Sequence, residues 1–385
     1  MKKIFFLLFV LSCFIINIQA QENNDDQIVV PIKFGFEGQA AVSDTTSTLI
    51  VAEGQAANLA YNDAVKAFSA GKYESAIASY SKAIKESPNF AKAIFGRSTA
   101  YMQLKNYQEA ITDFSNYLAI VPSDGTAYFY RGYAQYYLKN YDEAMNDFQN
   151  ALDNHYDKDV NLFYMFGVAN FYKEKYEDAI EHYTQAIKVD DSYVIAYNDR
   201  GSSYRMVKKY PEAIADYQKA IELDSSMSLL YNNLGSVYRL NKEYDKALIL
   251  YNDGISKDST SYRTLNNKGI VLYEQGKYEE AVQTFEQTIK VKNDYAYAYN
   301  NLGMAQYQLK NYDEAISAYS KAIDINPDYG YAYLGRASSK EMLAGDSNKR
   351  ITMMQEACKD WQKAYELGIA VADDYVKSIC SEYKK

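Results

Sequence analysis

The side chains that could carry chemistry are few and poorly assembled. Only two histidines occur, His155 and His182, and no cysteine lies near either. No HExxH pair, glycine-rich phosphate cradle or calcium-loop spacing is present, so the sequence offers no metal, no cofactor and no catalytic constellation. Carboxylates are abundant, but they recur in short Tyr-Asp-Glu-Ala phrases, where they read as solvated helix starts. Two features are more informative. Paired amides or acids recur as Asn198-Asp199, Asn232-Asn233, Asn266-Asn267 and Asn300-Asn301. An asparagine amide both donates and accepts, so a regular row of them can hydrogen-bond a polypeptide backbone without demanding particular side chains. The second feature is Cys358 and Cys380, near the end of the chain.

Elements that could position such a row must repeat, and they do. Tyr73, Tyr107, Tyr141, Tyr176, Tyr210, Tyr244, Tyr278 and Tyr312 sit in phrases such as KYESA and NYDEA, at intervals of 34 residues with a single 35. Nine before each tyrosine stands a small residue: Ala64, Ser98, Gly132, Gly167, Gly201, Gly235, Gly269 or Gly303. Alanine follows three after it and an aromatic seven after it, as in Ala315 and Tyr319. These spacings predict two antiparallel helices per unit. The small residues permit close approach, and the aromatics fill the gap between successive pairs. Proline occurs 5 times in 385 residues, whereas tyrosine occurs 41 times, which favours long helices over turn-rich sheet. Pro211 falls in a helix's first turn, where proline is tolerated.

On this pattern the sequence resembles the tetratricopeptide repeat family over residues 57–329. The resemblance implies an all-α, right-handed superhelical solenoid of about nine helix pairs with a C-terminal capping helix. The departures are tyrosine or another residue for the customary first-helix tryptophan, and a terminal proline kept only as Pro88, Pro122 and Pro327. Units are expected at 57–90, 91–124, 125–158, 160–193, 194–227, 228–261, 262–295 and 296–329, with a divergent ninth unit and capping helix over 330–385. In this family the first helices line the inner surface. The resemblance therefore implies that Asn198, Asp199, Asn232, Asn233, Asn266, Asn267, Asn300 and Asn301 face a groove; packing between neighbouring helices is their other reading. Arg205 and Arg239, with Arg263 nearby, are expected to add a basic stripe that receives acidic side chains or a C-terminal carboxylate. Tyr130, Tyr133, Tyr136, Tyr137, Tyr164, Phe171 and Tyr172 cluster on or beside earlier first helices, as inter-repeat packing or as a surface for peptide or sugar rings.

The ends differ in kind. Lys2 and Lys3 precede an apolar run from Ile4 to Ile18, and Ala20 precedes a polar stretch, so residues 1–20 read as a secretory signal peptide. Lipid anchoring at Cys13 is a minor alternative, because Phe14-Ile15-Ile16 is not the polar sequence such a signal requires. Residues 21–56 read as a flexible or extended leader. The mature chain carries no later run long enough to span a bilayer. Without Lys2 and Lys3 the 41 basic residues fall to 39 against 50 acidic ones, a net charge of −11 that repels nucleic acid. Residues 345–348, Gly-Asp-Ser-Asn, read as an enlarged loop in the ninth unit, and Asp373 to Tyr383 as a closing helix. With Ile369 as the apex of a helical hairpin, Cys358 and Cys380 are each 11 residues away, which brings them level and permits a disulfide, two inert buried thiols being the other reading. The expected function is a non-catalytic scaffold, exported to the periplasm or cell envelope, that holds another protein or an extended peptide. The other reading is an envelope-assembly or glycan-handling subunit that uses the tyrosine-rich surface.

Overall fold

A computed structural model describes residues 55–345 and 350–383. The expected signal peptide, Cys13, the leader as far as residue 54 and most of the enlarged loop lie outside the described residues. Among the described residues there are nineteen α-helices and no strand. They fall into two compact bodies, 55–209 and 210–383.

In the N-terminal body the first helices are α1 (Gln55–Ser69), α3 (Ala91–Gln103), α5 (Gly125–Tyr137), α7 (Val160–Tyr172) and α9 (Val194–Met206). They alternate with second helices α2 (Tyr73–Glu86), α4 (Tyr107–Ile120), α6 (Tyr141–Asp153) and α8 (Tyr176–Val189). The C-terminal body begins with α10 (Tyr210–Leu223) and continues as α11 (Ser228–Leu240), α12 (Tyr244–Lys257), α13 (Tyr262–Glu274), α14 (Tyr278–Val291), α15 (Ala296–Gln308) and α16 (Tyr312–Ile325). It closes with α17 (Gly330–Ala344), α18 (Arg350–Glu366) and α19 (Val371–Ser378). Within each body every helix packs on its neighbours in sequence, the arrangement of a helix-pair solenoid.

The recurring phrases have direct physical work in this stack. In three C-terminal pairs, Gly235 with Tyr251, Gly269 with Phe285 and Gly303 with Tyr319, the small residue of the first helix lies under the aromatic of the second. A Cβ added at Gly303 would come within 2.9 Å of the Tyr319 ring. The other side of that ring lies against Gly335 of the next first helix, so one aromatic closes both the gap within a pair and the gap between pairs. Tyr319 is 1% exposed and Phe285 is equally buried, the burial expected of side chains that dominate a core. Glu or Asp in the first turn of second helices such as α6, α8, α14 and α16 stays exposed and meets the positive end of the helix dipole.

The turn inside each pair uses a residue in the left-handed region, two before the repeating tyrosine. Lys105, Lys139, Glu174, Lys208, Lys242 and Lys310 take φ between 58° and 63°, where the other two turns use Gly71 and Gly276. The turn is held by backbone bonds across the helix end, such as Asn106 N–H to the Tyr101 carbonyl at 2.9 Å. Each non-glycine residue there costs about 1 kcal/mol in backbone strain, which the bonds and packing around it offset.

The C-terminal end departs from expectation in one detail. The closing segment is shorter: α19 stops at Ser378, and Cys380 to Glu382 form a 3₁₀ turn. Gly368, with φ of 87°, makes the reversal after α18. Trp361 stacks on Tyr375 with ring centroids 4.9 Å apart, and Cys358 and Cys380 are joined as a disulfide with Cα atoms 5.6 Å apart.

Candidate functional site

The asparagine row lies inside the packing. In the N-terminal body Asn198 and Asp199 have no exposed surface, and Asn198 Nδ2 donates to Asp199 Oδ1 at 2.8 Å. The other Asp199 oxygen accepts from Tyr164 Oη at 2.9 Å. Burial, with the Asp199 charge beside it, pushes the Tyr164 phenol well above its ordinary pKa, so it stays a neutral donor. In the C-terminal body Asn232, Asn233, Asn266, Asn300 and Asn301 are buried and Asn267 is half-buried. Asn267 Nδ2 donates to Asn232 Oδ1 and Asn301 Nδ2 to Asn266 Oδ1, each at 3.0 Å.

Apart from the Asn198–Asp199 bond between adjacent residues, these bonds share one offset. Each joins neighbouring first helices through residues 35 apart, as do Gln308 to Tyr273 at 3.1 Å and Arg239 to Glu274 at 2.7 Å. The row thus holds first helices in register, the packing role that stood beside peptide binding in the sequence. Its end shows the rule from the other side. The residue 35 beyond Asn300 is Gly335, which has no amide, and Asn300 Oδ1 is a buried acceptor with no hydrogen-bond partner.

The expected basic stripe is withdrawn from solvent as well. Arg205 and Arg239 are 6% and 4% exposed, and Arg239 is ion-paired with Glu274. Arg263 is half-buried and lies over the Tyr262 ring, 5.2 Å from its centroid. The aromatic cluster is largely spent on itself. Tyr133, Tyr136 and Tyr164 are buried, Tyr137 stacks on Tyr107 at 4.8 Å, and Tyr172, the exposed member, stacks on Tyr141 at 5.3 Å.

A set of buried ion pairs went unread in the sequence. Arg97 grips Asp113 with two bonds of 2.6 and 2.8 Å and reaches back to Ser81 Oγ at 3.0 Å. Arg131 repeats this with Asp147 and Ser115, and Arg336 with Asp360 and Ser320. Burial pushes the Asp147 carboxyl above its usual range despite Arg131 beside it, so the pair sets register more than it adds stability. An arginine directly before the small residue with an aspartate 16 later occurs at 97/113, at 131/147 and at 200/216; that recurrence was the available signal.

A cleft of about 690 Å³ lies open on the first-helix wall of the N-terminal body. α1 contributes Tyr61, Val65 and Phe68, and α3 contributes Lys92, Phe95 and Thr99. Tyr80 and Tyr117 line it from the second helices α2 and α4, and both are buried. Residues 123–126 and 154–156 complete the lining. Asp124 caps α5: one oxygen accepts from the Thr126 and Ala127 N–H groups at 2.9 and 3.2 Å, the other from Tyr117 Oη at 2.7 Å. Size and lining are those of a ligand site: aromatic walls with a few placed polar groups. None of these residues was singled out in the sequence as a site, because the cleft is assembled from three repeats. His182, the remaining histidine, stacks on Phe166 at 3.8 Å, and burial lowers its pKa. Among the described residues no cluster of His, Cys, Asp or Glu could hold a metal ion, and no helix is long and apolar enough to cross a membrane.

Sequence profiles described as tetratricopeptide repeat match residues 61–125, 126–156, 194–227 and 266–330, and one described as TPR repeat matches 167–208, together more than half of the chain. No curated protein matches it in sequence. Among solved structures it is similar to the C-terminal part of a TPR repeat-containing protein from Cytophaga hutchinsonii, at 22% identity and TM-score 0.52, over 63% of this chain and 98% of that one. A tetratricopeptide repeat protein from Parabacteroides merdae matches at 16% identity and TM-score 0.50, over 66% of this chain and 100% of that one. YrrB, a TPR protein with an unusual peptide-binding site, matches at 24% identity and TM-score 0.38, over 48% and 95%. At these identities the likeness bears on the fold alone.

Proposed function

We propose a function from the premise that this chain belongs to the tetratricopeptide repeat family, whose stacked helix pairs support a protein-interaction scaffold. The chain holds an extended segment of a partner polypeptide in the cleft of its N-terminal body. One observation carries the reading: an open cleft lies on the first-helix wall of the N-terminal body, while the amide row is enclosed and bonded to itself. First helices of neighbouring pairs stand about 10 Å apart. Three of them therefore span about 20 Å, the length of roughly six residues of extended chain. Aromatic rings then hold the apolar side chains of the segment, and the hydroxyls of Ser69 and Thr126 meet its backbone.

The scaffold is read as non-catalytic, because its two histidines serve separate places and buried carboxylates are engaged in packing, Asp113, Asp147 and Asp360 with arginines and Asp199 with Asn198 and Tyr164. Its place is the periplasm or cell envelope. The basic and apolar residues 1–20 support export, and the joined Cys358 and Cys380 suit an oxidising compartment.

A photo-crosslinking amino acid placed at Phe95 or at Asn267, in the full chain expressed in its native cell, tests the reading. Light-dependent adducts to another protein are expected from position 95 and not from 267. Adducts from 267 alone would place the partner on the row.

A further inference from the structure

Resting on that reading, the hydrogen-bonding capacity left over in the cleft shows which segment it selects. Asp124 is the carboxylate in the lining, and it already accepts three bonds from Thr126, Ala127 and Tyr117. Lys92 is exposed in the same lining, with no ion pair or hydrogen bond to any described residue. It sits in the first turn of α3, which starts without a side-chain cap, so the uncapped N–H groups add positive potential at the same rim. His155, also exposed, lines the opposite stretch of sequence and carries no negative charge. Lys92 is therefore the unbonded side-chain charge in the lining, while the Asp124 carboxylate is turned to the start of α5 and to Tyr117 by its three bonds.

We infer that the cleft selects a segment in which an aromatic or branched apolar side chain is followed by a carboxylate, the ring or branch seated among Tyr61, Phe95 and Tyr117 and the carboxylate at Lys92. The preference is local. The chain as a whole carries a net charge of −9, so the discrimination does not come from long-range attraction, which would favour basic partners. A lysine at the same place in the segment would face Lys92 and find Asp124 already bonded. Lys92 is exposed, so the contrast is modest: roughly two- to fivefold in affinity, the range of a solvent-facing ion pair.

The test uses the full mature chain and an array of acetylated, amidated hexapeptides that share one phenylalanine and differ only in the next residue, Glu, Gln or Lys. The Glu peptides are expected to be retained roughly two- to fivefold more strongly than the Gln peptides, with Lys weakest, and Lys92→Gln is expected to erase the difference without moving the melting temperature. Equal retention of Glu and Gln, or a Glu preference that survives Lys92→Gln, overturns the charge inference and leaves the cleft reading standing. If peptides with serine in place of phenylalanine bind as well, the cleft reading itself fails. Retention of no peptide overturns both.

Discussion

The early repeats of the N-terminal body and the middle repeats of the C-terminal body are built on one pattern but keep it in register with different polar devices. In the N-terminal body Arg97 and Arg131 precede the small residue and grip Asp113 and Asp147 on the second helix of the same pair. In the C-terminal body that slot holds Leu234, Lys268 and Leu302 before the arginine returns at Arg336, and across those three pairs register comes from amides linking one first helix to the next. The location of the bond decides what the wall can do. Bonds directed to the second helix leave the faces of α1, α3 and α5 to aromatic side chains, and there the cleft is open. Amides that bridge first helices occupy the wall they brace. A polar row on the inner face is thus evidence of binding only when its hydrogen bonds are not already taken.

The largest effect that would sharpen this contrast is expected from Asp147→Ala, which strands the Arg131 guanidinium in a mostly buried site at a cost of about 3 kcal/mol. Replacing both partners with apolar residues, Arg131→Met with Asp147→Leu, is expected to recover most of that loss. Urea unfolding followed by hydrogen exchange in α5 and α6 reads both, because a repeat array loses structure locally. A double variant as unstable as the single one would make the pair a source of stability, not of register.

In the C-terminal body Asn301→Ala removes the donor to Asn266 Oδ1 and leaves that acceptor buried, which costs about 2 kcal/mol. Asn300→Ala is expected to cost less than Asn301→Ala, since Asn300 Oδ1 already lacks a partner opposite Gly335. Exchange rates of α13 and α15 amides measure the difference, and equal protection in the two variants would break the account of the row as a chain of links 35 residues apart.

The sequence made the repeat legible because its signals are local. The tyrosine phrases marked the second helices, and Gly303 and Tyr319, sixteen apart, announced the small-under-aromatic contact that the structure shows. The positive-φ turn at Lys105 or Lys242 was not legible, since lysine carries no turn preference and only the backbone bonds around it demand that conformation. The fate of Asn232 and Asn266 was not legible either. An amide three before the small residue reads the same whether it meets a peptide or Asn267 and Asn301 on the next helix, and only the packing offset between helices decides. The cleft needs Tyr61, Phe95 and Tyr156 from three different repeats, a combination no single period contains.

The central claim is that partners sit in the open cleft and not on the enclosed row. Partner capture from the native envelope should be compared for Phe95→Ala and for the triple variant Asn233→Ala, Asn267→Ala, Asn301→Ala, each shown to be helical by circular dichroism. The account expects Phe95→Ala to lose capture about tenfold or more, as for a buried aromatic anchor, while the triple variant keeps its partner. Capture kept by Phe95→Ala and lost by the folded triple variant would contradict it.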